Sequence, residues 1–208
     1  MRRKNNGTVS KKKIIKDHEL YLGLPWDSFD ELNFLYWCEE LIEAGYIKKV
    51  ERAKSYLLTS GITNTYSYVQ QLKTKSKPVT KNQTILQGSS YNPDFEVTFT
   101  PLGVEKFCWQ IGDNCKCDKL FINDLHFNLD NKTTVEIKPD FDFNNMERLF
   151  RNNQKFLYEK YLVYTNLIIP SKLFQATFYP AKALLTNKTK QKKKINFVTK
   201  SLKEYLAI

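Results

Sequence analysis

No apolar run in this 208-residue chain approaches the roughly 18 residues that a membrane-spanning helix requires, and no apolar leader follows its basic start. The expectation is a chain that neither spans a membrane nor is secreted, working in a cytoplasmic setting. Cysteine is scarce. Cys38, Cys108, Cys115 and Cys117 are scattered, and the tight Cys115-x-Cys117 spacing suits no ordinary disulfide framework, so reduced thiols are expected. There is no second Cys-x-x-Cys to join Cys108, Cys115, Cys117 and His126 in a recognised zinc finger or ribbon. Internal repeats are absent too, as is any linker long enough to separate a second domain.

Acid is missing from both ends. Residues 1–16 hold Arg2, Arg3, Lys4, Lys11, Lys12, Lys13 and Lys16 without one Asp or Glu. Residues 186–203 hold Lys188, Lys190, Lys192, Lys193, Lys194, Lys200 and Lys203, again without an acid. The whole chain carries a net charge of +11 with a pI near 9.3. One such arm is as well explained by solubility as by binding. Two arms with basic runs between them point to a polyanion, and so to nucleic acid. A hydrophobic content of 41% and an aromatic content of 14% say that what lies between the arms folds.

The chemistry gathers in two short runs. In Tyr91-Asn-Pro-Asp-Phe-Glu-Val-Thr-Phe99, Tyr91, Phe95, Val97 and Phe99 alternate with Asn92, Asp94, Glu96 and Thr98, the period of a half-buried strand. In Thr133-Thr-Val-Glu-Ile-Lys138, Val135 and Ile137 take one face and Thr134, Glu136 and Lys138 the other. Glu136 and Lys138 then project from one side, about 7 Å apart at a rise of about 3.4 Å per residue. An aspartate opening one strand and a Glu-x-Lys on another supply what metal-assisted phosphodiester hydrolysis needs. Two carboxylates hold a hard cation, and a lysine steadies or activates the attacking water.

Pro93-Asp94 followed by Glu136-x-Lys138 resembles the PD-(D/E)xK nuclease superfamily, and the surroundings resemble its small phage-type and junction-resolving endonucleases. The likeness extends over about residues 27–180. It implies an α/β fold, a mixed central sheet flanked by helices (a restriction-endonuclease-like core), over residues 25–182, with basic arms at 1–24 and 183–208. It also implies a Mg²⁺-dependent DNA endonuclease for which Mn²⁺ can substitute, acting in the host cytoplasm if the chain is phage-encoded. Asp94 and Glu136 would hold the ion, joined by the Ile137 carbonyl, with Lys138 orienting the attacking water. Branched junctions are among the substrates of such enzymes, and resolving one calls for two active sites, hence a homodimer. The family's helix glutamate falls on Glu31 within Asp27-Ser28-x-x-Glu31, before a helix ending Ala44-Gly45, and there it binds a second ion or the water. Many members also place a Gln or Lys on the next helix, reaching back to the site; here both Gln154 and Lys155 qualify. Pro139 stands where phage-type members often have glycine. Two rivals remain: a silent nuclease-fold module that packages or recruits DNA, and an assembly protein whose tails meet an acidic partner.

Between these motifs, Asp27–Tyr46 reads as a helix capped by Ser28 and stopped at Gly45, with Leu32, Leu35, Cys38, Leu41 and Ile42 as its apolar stripe. Glu31 lies at the edge of that stripe and Glu39 inside its arc. Residues 55–59 and 65–72 read as strands, and 73–81 as a lysine-studded loop. Pro101 and Gly103 are expected to break the Asp94 strand, with a new strand over 105–111. The long gap from Asp94 to Glu136 calls for an extra strand or a projecting loop. Asp140 and Asp142 form an acidic loop ahead of a helix over 144–158, whose apolar side takes Met146, Leu149, Phe150, Asn153 and Leu157. The apolar run at 161–169 predicts a strand in the middle of a mixed sheet. Residues 171–180 form a last apolar patch.

Overall fold

Ser28 caps the first helix: its Oγ accepts from the Glu31 amide at 3.2 Å. The computed structural model describes residues 28–110, 120–123, 131–141, 145–185 and 191–207. The N-terminal arm, Asp27, Cys115, Cys117, His126 and Asp142 lie outside them. Helix α1 (Phe29–Glu43) ends as expected at Gly45, whose φ of +80° suits a residue without a side chain. Four strands then lead to the Asp94 region: β1 (Ile47–Arg52), β2 (Tyr56–Thr59), β3 (Ile62–Gln71) and β4 (Ser76–Leu86). After β5 (Ser89–Tyr91) and β6 (Phe95–Phe99) come α2 (Pro101–Phe107), β7 (Cys108–Gln110), β8 (Phe121–Asn123) and β9 (Lys132–Ile137). The chain closes with α3 (Met146–Tyr161), β10 (Thr165–Ile168), α4 (Pro170–Ala176) and α5 (Leu202–Leu206).

The fold is mixed α/β, with a central mixed sheet flanked by helices. Its strand order is β1-β6-β9-β10; β6 is antiparallel to both β1 and β9, while β10 runs parallel to β9. The two faces follow from strand alternation. Phe95, Val97, Phe99, Val135 and Ile137 face α1 in the main core, where Phe34 meets Phe95 at 5.6 Å between centroids. Trp37 is fully buried at the centre, 5.9 Å from Phe34, 5.6 Å from Phe107, and 5.8 Å from both Phe121 and Phe178. Its indole N–H donates to Thr177 Oγ1 at 3.0 Å, so burial strands no polar atom. On the opposite face, Phe150 and Leu157 of α3 pack with Tyr56, Leu58 and Tyr91, and Leu167 joins them.

Several expectations are corrected. Pro101 and Gly103 do not simply break the chain: Thr100 caps α2 by accepting from the Gly103 amide, and Pro101 opens the helix, where a missing N–H costs nothing. The strand expected over 105–111 is confined to β7. Strand β10 is at the edge of the sheet, not its middle. The loop expected at 73–81 is mostly β4, which pairs with β3 along an exposed ribbon. Residues 171–180 contain α4. Ile42 is exposed on α1, and Met146 and Leu149 on α3, where Gln154 is buried beside the expected Phe150 and Leu157. The long stretch between the motif strands holds α2, β7 and β8, as the gap requires. The described tail, 191–207, folds back: the Tyr179 amide donates to the Lys200 carbonyl at 2.8 Å, and Tyr205 stacks on Phe107 at 6.2 Å.

Trp37→Ala is expected to cost about 3–5 kcal/mol of stability, the range for emptying a buried aromatic site. Urea unfolding followed by circular dichroism measures this, and a loss below about 1 kcal/mol would contradict the central position given to the indole.

Candidate active site

Asp94 stands just ahead of β6 and is pinned from three sides. Its amide donates to the Val135 carbonyl at 3.1 Å and its carbonyl accepts from the Ala53 amide at 3.4 Å. Its carboxylate Oδ2 accepts from the Ile137 amide at 2.7 Å. The aspartate is therefore bonded into the strand that carries Glu136 and Lys138, one residue from each. Strand β9 ends here, where the Lys138 amide donates to the Ile168 carbonyl at 3.0 Å.

Glu136 projects to the α3 face, as alternation requires, and is buried. Lys138 Nζ reaches its Oε1 at 2.5 Å, and the Tyr91 hydroxyl donates to its Oε2 at 2.9 Å. The Tyr91 phenol is held well above its ordinary range by burial and then by the Glu136 charge, so it remains a proton donor. The Asp94 carboxyl is pushed up to about 7, first by burial and then by the Glu136 charge. The Ile137 amide pulls the other way, Glu31 adds to the rise, and Lys138 opposes it. Carboxylates thus crowd this end of the sheet with too little positive charge to balance them.

Glu31 comes to the same end of the sheet from the first turn of α1, and is buried. Its carboxylate bonds Ser28 and Arg52 rather than Asp94. Arg52, at the end of β1, donates to its Oε2 at 2.9 Å, and Ser28 Oγ donates to its Oε1 at 3.1 Å. Gln154 is buried with its amide donating to the Thr165 carbonyl at 2.5 Å, which ties α3 to β10. Lys155 is exposed on the outer side of α3. Among the described residues, no hydrogen bond or ion pair joins Gln154 or Lys155 to Asp94, Glu136 or Lys138. Glu39 pairs at the surface with Lys182 at 2.8 Å, and Asp140 lies 3.7 Å from Lys172.

Three contributors escape a reading of the sequence. Tyr91 falls at an apolar position of its strand, and only its phenolic tip signals a second role. Arg52 belongs to a basic run that says nothing of which acid it meets. Lys193 lies near Asp30 in the first turn of α1, where burial lowers the lysine's pKa and raises the aspartate's. No local pattern links residues so distant in sequence.

A hard divalent cation fits the donor set: Asp94, Glu136 and the Ile137 carbonyl offer oxygen alone, and Mg²⁺ needs only one or two carboxylates because it keeps several waters. Among the described residues, no three Asp, Glu, His or Cys side chains converge as a ready-made metal cage. A small cleft of about 100 Å³ opens beside Lys138 and Asp140. A larger groove, about 790 Å³, lies away from these residues between α1 and α5. The smaller cleft is the one that Lys138 and Pro139 line, at the end of β9. The chain matches no protein-family model, no curated protein and no solved structure.

Asp94 gives a measurable signature. Its pKa is higher in the folded chain than unfolded, so the folded state binds the extra proton between about pH 4 and 7 and stability falls as pH rises through that window. In EDTA, Asp94→Asn should therefore melt above the parent at pH 8, with the difference shrinking as pH falls toward 4. Mg²⁺ should raise the parent's Tm at pH 8 and leave the variant's unchanged. Equal melting of the two chains across this range would remove the charge crowding from the account.

Proposed function

We propose that this chain is a divalent-metal-dependent DNA endonuclease with a restriction-endonuclease-like core of the PD-(D/E)xK kind. The observation that carries the reading is the bond from the Ile137 amide to Asp94, which locks the Asp-bearing strand against the Glu-x-Lys strand at one end of the sheet. The order around it supports the same reading: α1, then the antiparallel β1, β6 and β9, then α3 and a parallel β10.

Asp94 and Glu136 would hold the ion, which supplies Lewis acidity toward the scissile phosphate and a more acidic water. Lys138 keeps its ammonium beside Glu136, where it offsets negative charge gathering on the phosphate oxygens. Tyr91 fixes the Glu136 carboxylate from the other side. Glu31, paired with Arg52, shapes the field at Asp94 and is the residue through which a second ion or an ordered water would be held. Gln154 braces α3 against β10.

One observation favours a second reading, a silent DNA-binding module: both Glu136 oxygens already have partners within the protein. A carboxylate oxygen has a further lone pair to offer, so the partners orient Glu136 without closing it to a cation.

A panel of labelled DNAs (four-way junction, flap, duplex and single strand) in Mg²⁺, Mn²⁺ and EDTA decides between them. Metal-dependent cutting is expected, with Asp94→Asn and Lys138→Ala each slower by about 100-fold or more and DNA affinity little changed. Salt-sensitive binding with no cutting in either metal would leave the silent module as the function. The preferred substrate and the oligomeric state in solution would show whether the chain works on junctions as a dimer.

A further inference from the structure

Strands β3 and β4 form a two-stranded ribbon that the core does not explain. From Thr59 to Ser90 every residue is exposed except Tyr68 and Val79, which face each other across the ribbon. A two-stranded ribbon with water on both faces gains little from burial, so its fold is marginal without a partner. The root is built for departure from the body. Strands β2 and β5 pair below it, and Gly61 and Gly88 sit back to back, where a side chain on Gly88 would come within 2.9 Å of the Gly61 nitrogen.

The two faces differ. One carries Asn64 and Gln83, Tyr66 and Lys81, and Gln70 and Lys77 as opposed pairs. Tyr66 and Tyr68 stack along it at 6.1 Å, with Lys81 Nζ 5.2 Å over the Tyr68 ring. The other face is mostly small and hydroxylic, with Thr65 bonded to Asn82 at 2.8 Å and Ser67 to Thr80 at 2.9 Å. From Lys54 to Pro93 there is no Asp or Glu, against Lys54, Lys73, Lys75, Lys77 and Lys81.

We propose that this ribbon is a DNA-reading arm that lies in the major groove of a duplex whose backbone is presented to Asp94 and Glu136. The argument rests on charge, shape and reach. An acid-free element bearing lysines suits a polyanion and repels an acidic surface least. The major groove of B-form DNA, about 12 Å wide, admits a two-stranded β-ribbon, and amide side chains such as those of Asn64, Gln70 and Gln83 are suited to base edges there. The 10 residues of β3 reach about 34 Å, close to one turn of B-form DNA. The ribbon also returns directly to the site: β4 leads through β5 to Tyr91, three residues before Asp94. The inference rests on the nuclease reading for DNA as partner and for the backbone's place at Asp94 and Glu136, while binding by the ribbon needs nothing of the cleavage chemistry.

Binding of a 30-base-pair duplex is measured in EDTA by fluorescence anisotropy across a salt series, for the full-length parent, Lys77→Ala/Lys81→Ala, Tyr66→Ala, and a variant with residues 62–87 replaced by a short turn. The double lysine variant is expected to bind about tenfold or more weakly and to lose about 2 from the salt slope, at roughly 0.9 per phosphate contact. Replacing the ribbon should also shorten the footprint by about one helical turn on one side only. Unchanged affinity and slope in the point variants overturn the proposal, as does an equal loss on an A-form RNA duplex, whose major groove is too narrow for a ribbon. Conversion of a dimer to a monomer with DNA affinity per protomer intact overturns it as well, and assigns the ribbon to a second copy. Ribbon-dependent binding without metal-dependent cutting supports the arm and counts only against the nuclease reading.

Discussion

A single backbone amide governs the arrangement at the end of the sheet. Ile137 N–H lies at the last residue of β9, beyond the registered ladder with β6, and Asp94 answers it with a side-chain oxygen where a strand would use a carbonyl. The residue that begins one strand is thereby set against the residue that ends its neighbour. Every other feature of the site depends on this closure. It puts the Asp94 carboxylate one residue from Glu136 in the chain direction, brings Lys138 to the same rim, and forces the negative charges together. The resulting electrostatic cost is borne by the folded core on either side, with Trp37 and its aromatic neighbours below and the smaller Phe150–Leu157 cluster above.

Much of this was legible because strand alternation is a local property. Val135, Glu136, Ile137 and Lys138 declare their faces within four residues, and Phe95, Val97 and Phe99 do the same. The helix start was legible for a similar reason: Ser28 and Glu31 are one turn apart, and the Ser28 hydroxyl bonds both the amide and the carboxylate of Glu31. Errors arose where a local signal has two meanings. Proline at position 101 ends a strand and also opens a helix, and Thr100 decides between the two only once the cap is seen. Of the apolar run at 161–169, Tyr161 ends α3 and Leu162 is exposed, while Leu167 and Ile168 of β10 meet the two opposite clusters; burial by layers above and below says nothing of whether strands lie on both sides. In α3 the apolar Met146 and Leu149 face outward because the small cluster beneath the helix is narrow, and Gln154 takes the buried position in their place.

The contacts that were not legible are long-range and electrostatic. Arg52 meets Glu31, Tyr91 meets Glu136, and Lys193 approaches Asp30, all through folding rather than through sequence spacing. These partners matter because each decides whether a carboxylate at the site keeps its charge unopposed. Glu31 is paired with Arg52, Glu136 is held by two donors, and Asp94 accepts only the Ile137 amide. A sequence motif names the acids, but the division of labour among them is set by neighbours that the motif omits.

The returning tail has a practical consequence for handling the protein. Leu202 and Tyr205 pack against the main core, with Tyr205 stacked on Phe107 and 6.1 Å from Phe178, while Lys193 reaches the first turn of α1. A chain trimmed after residue 190 on the view that the basic end is dispensable would uncover these rings and release a charge beside Asp30. Its insolubility or lost activity would then be blamed on missing lysines. An affinity tag belongs at the other end, and any study of the basic tail is better done by changing its lysines singly than by cutting it off.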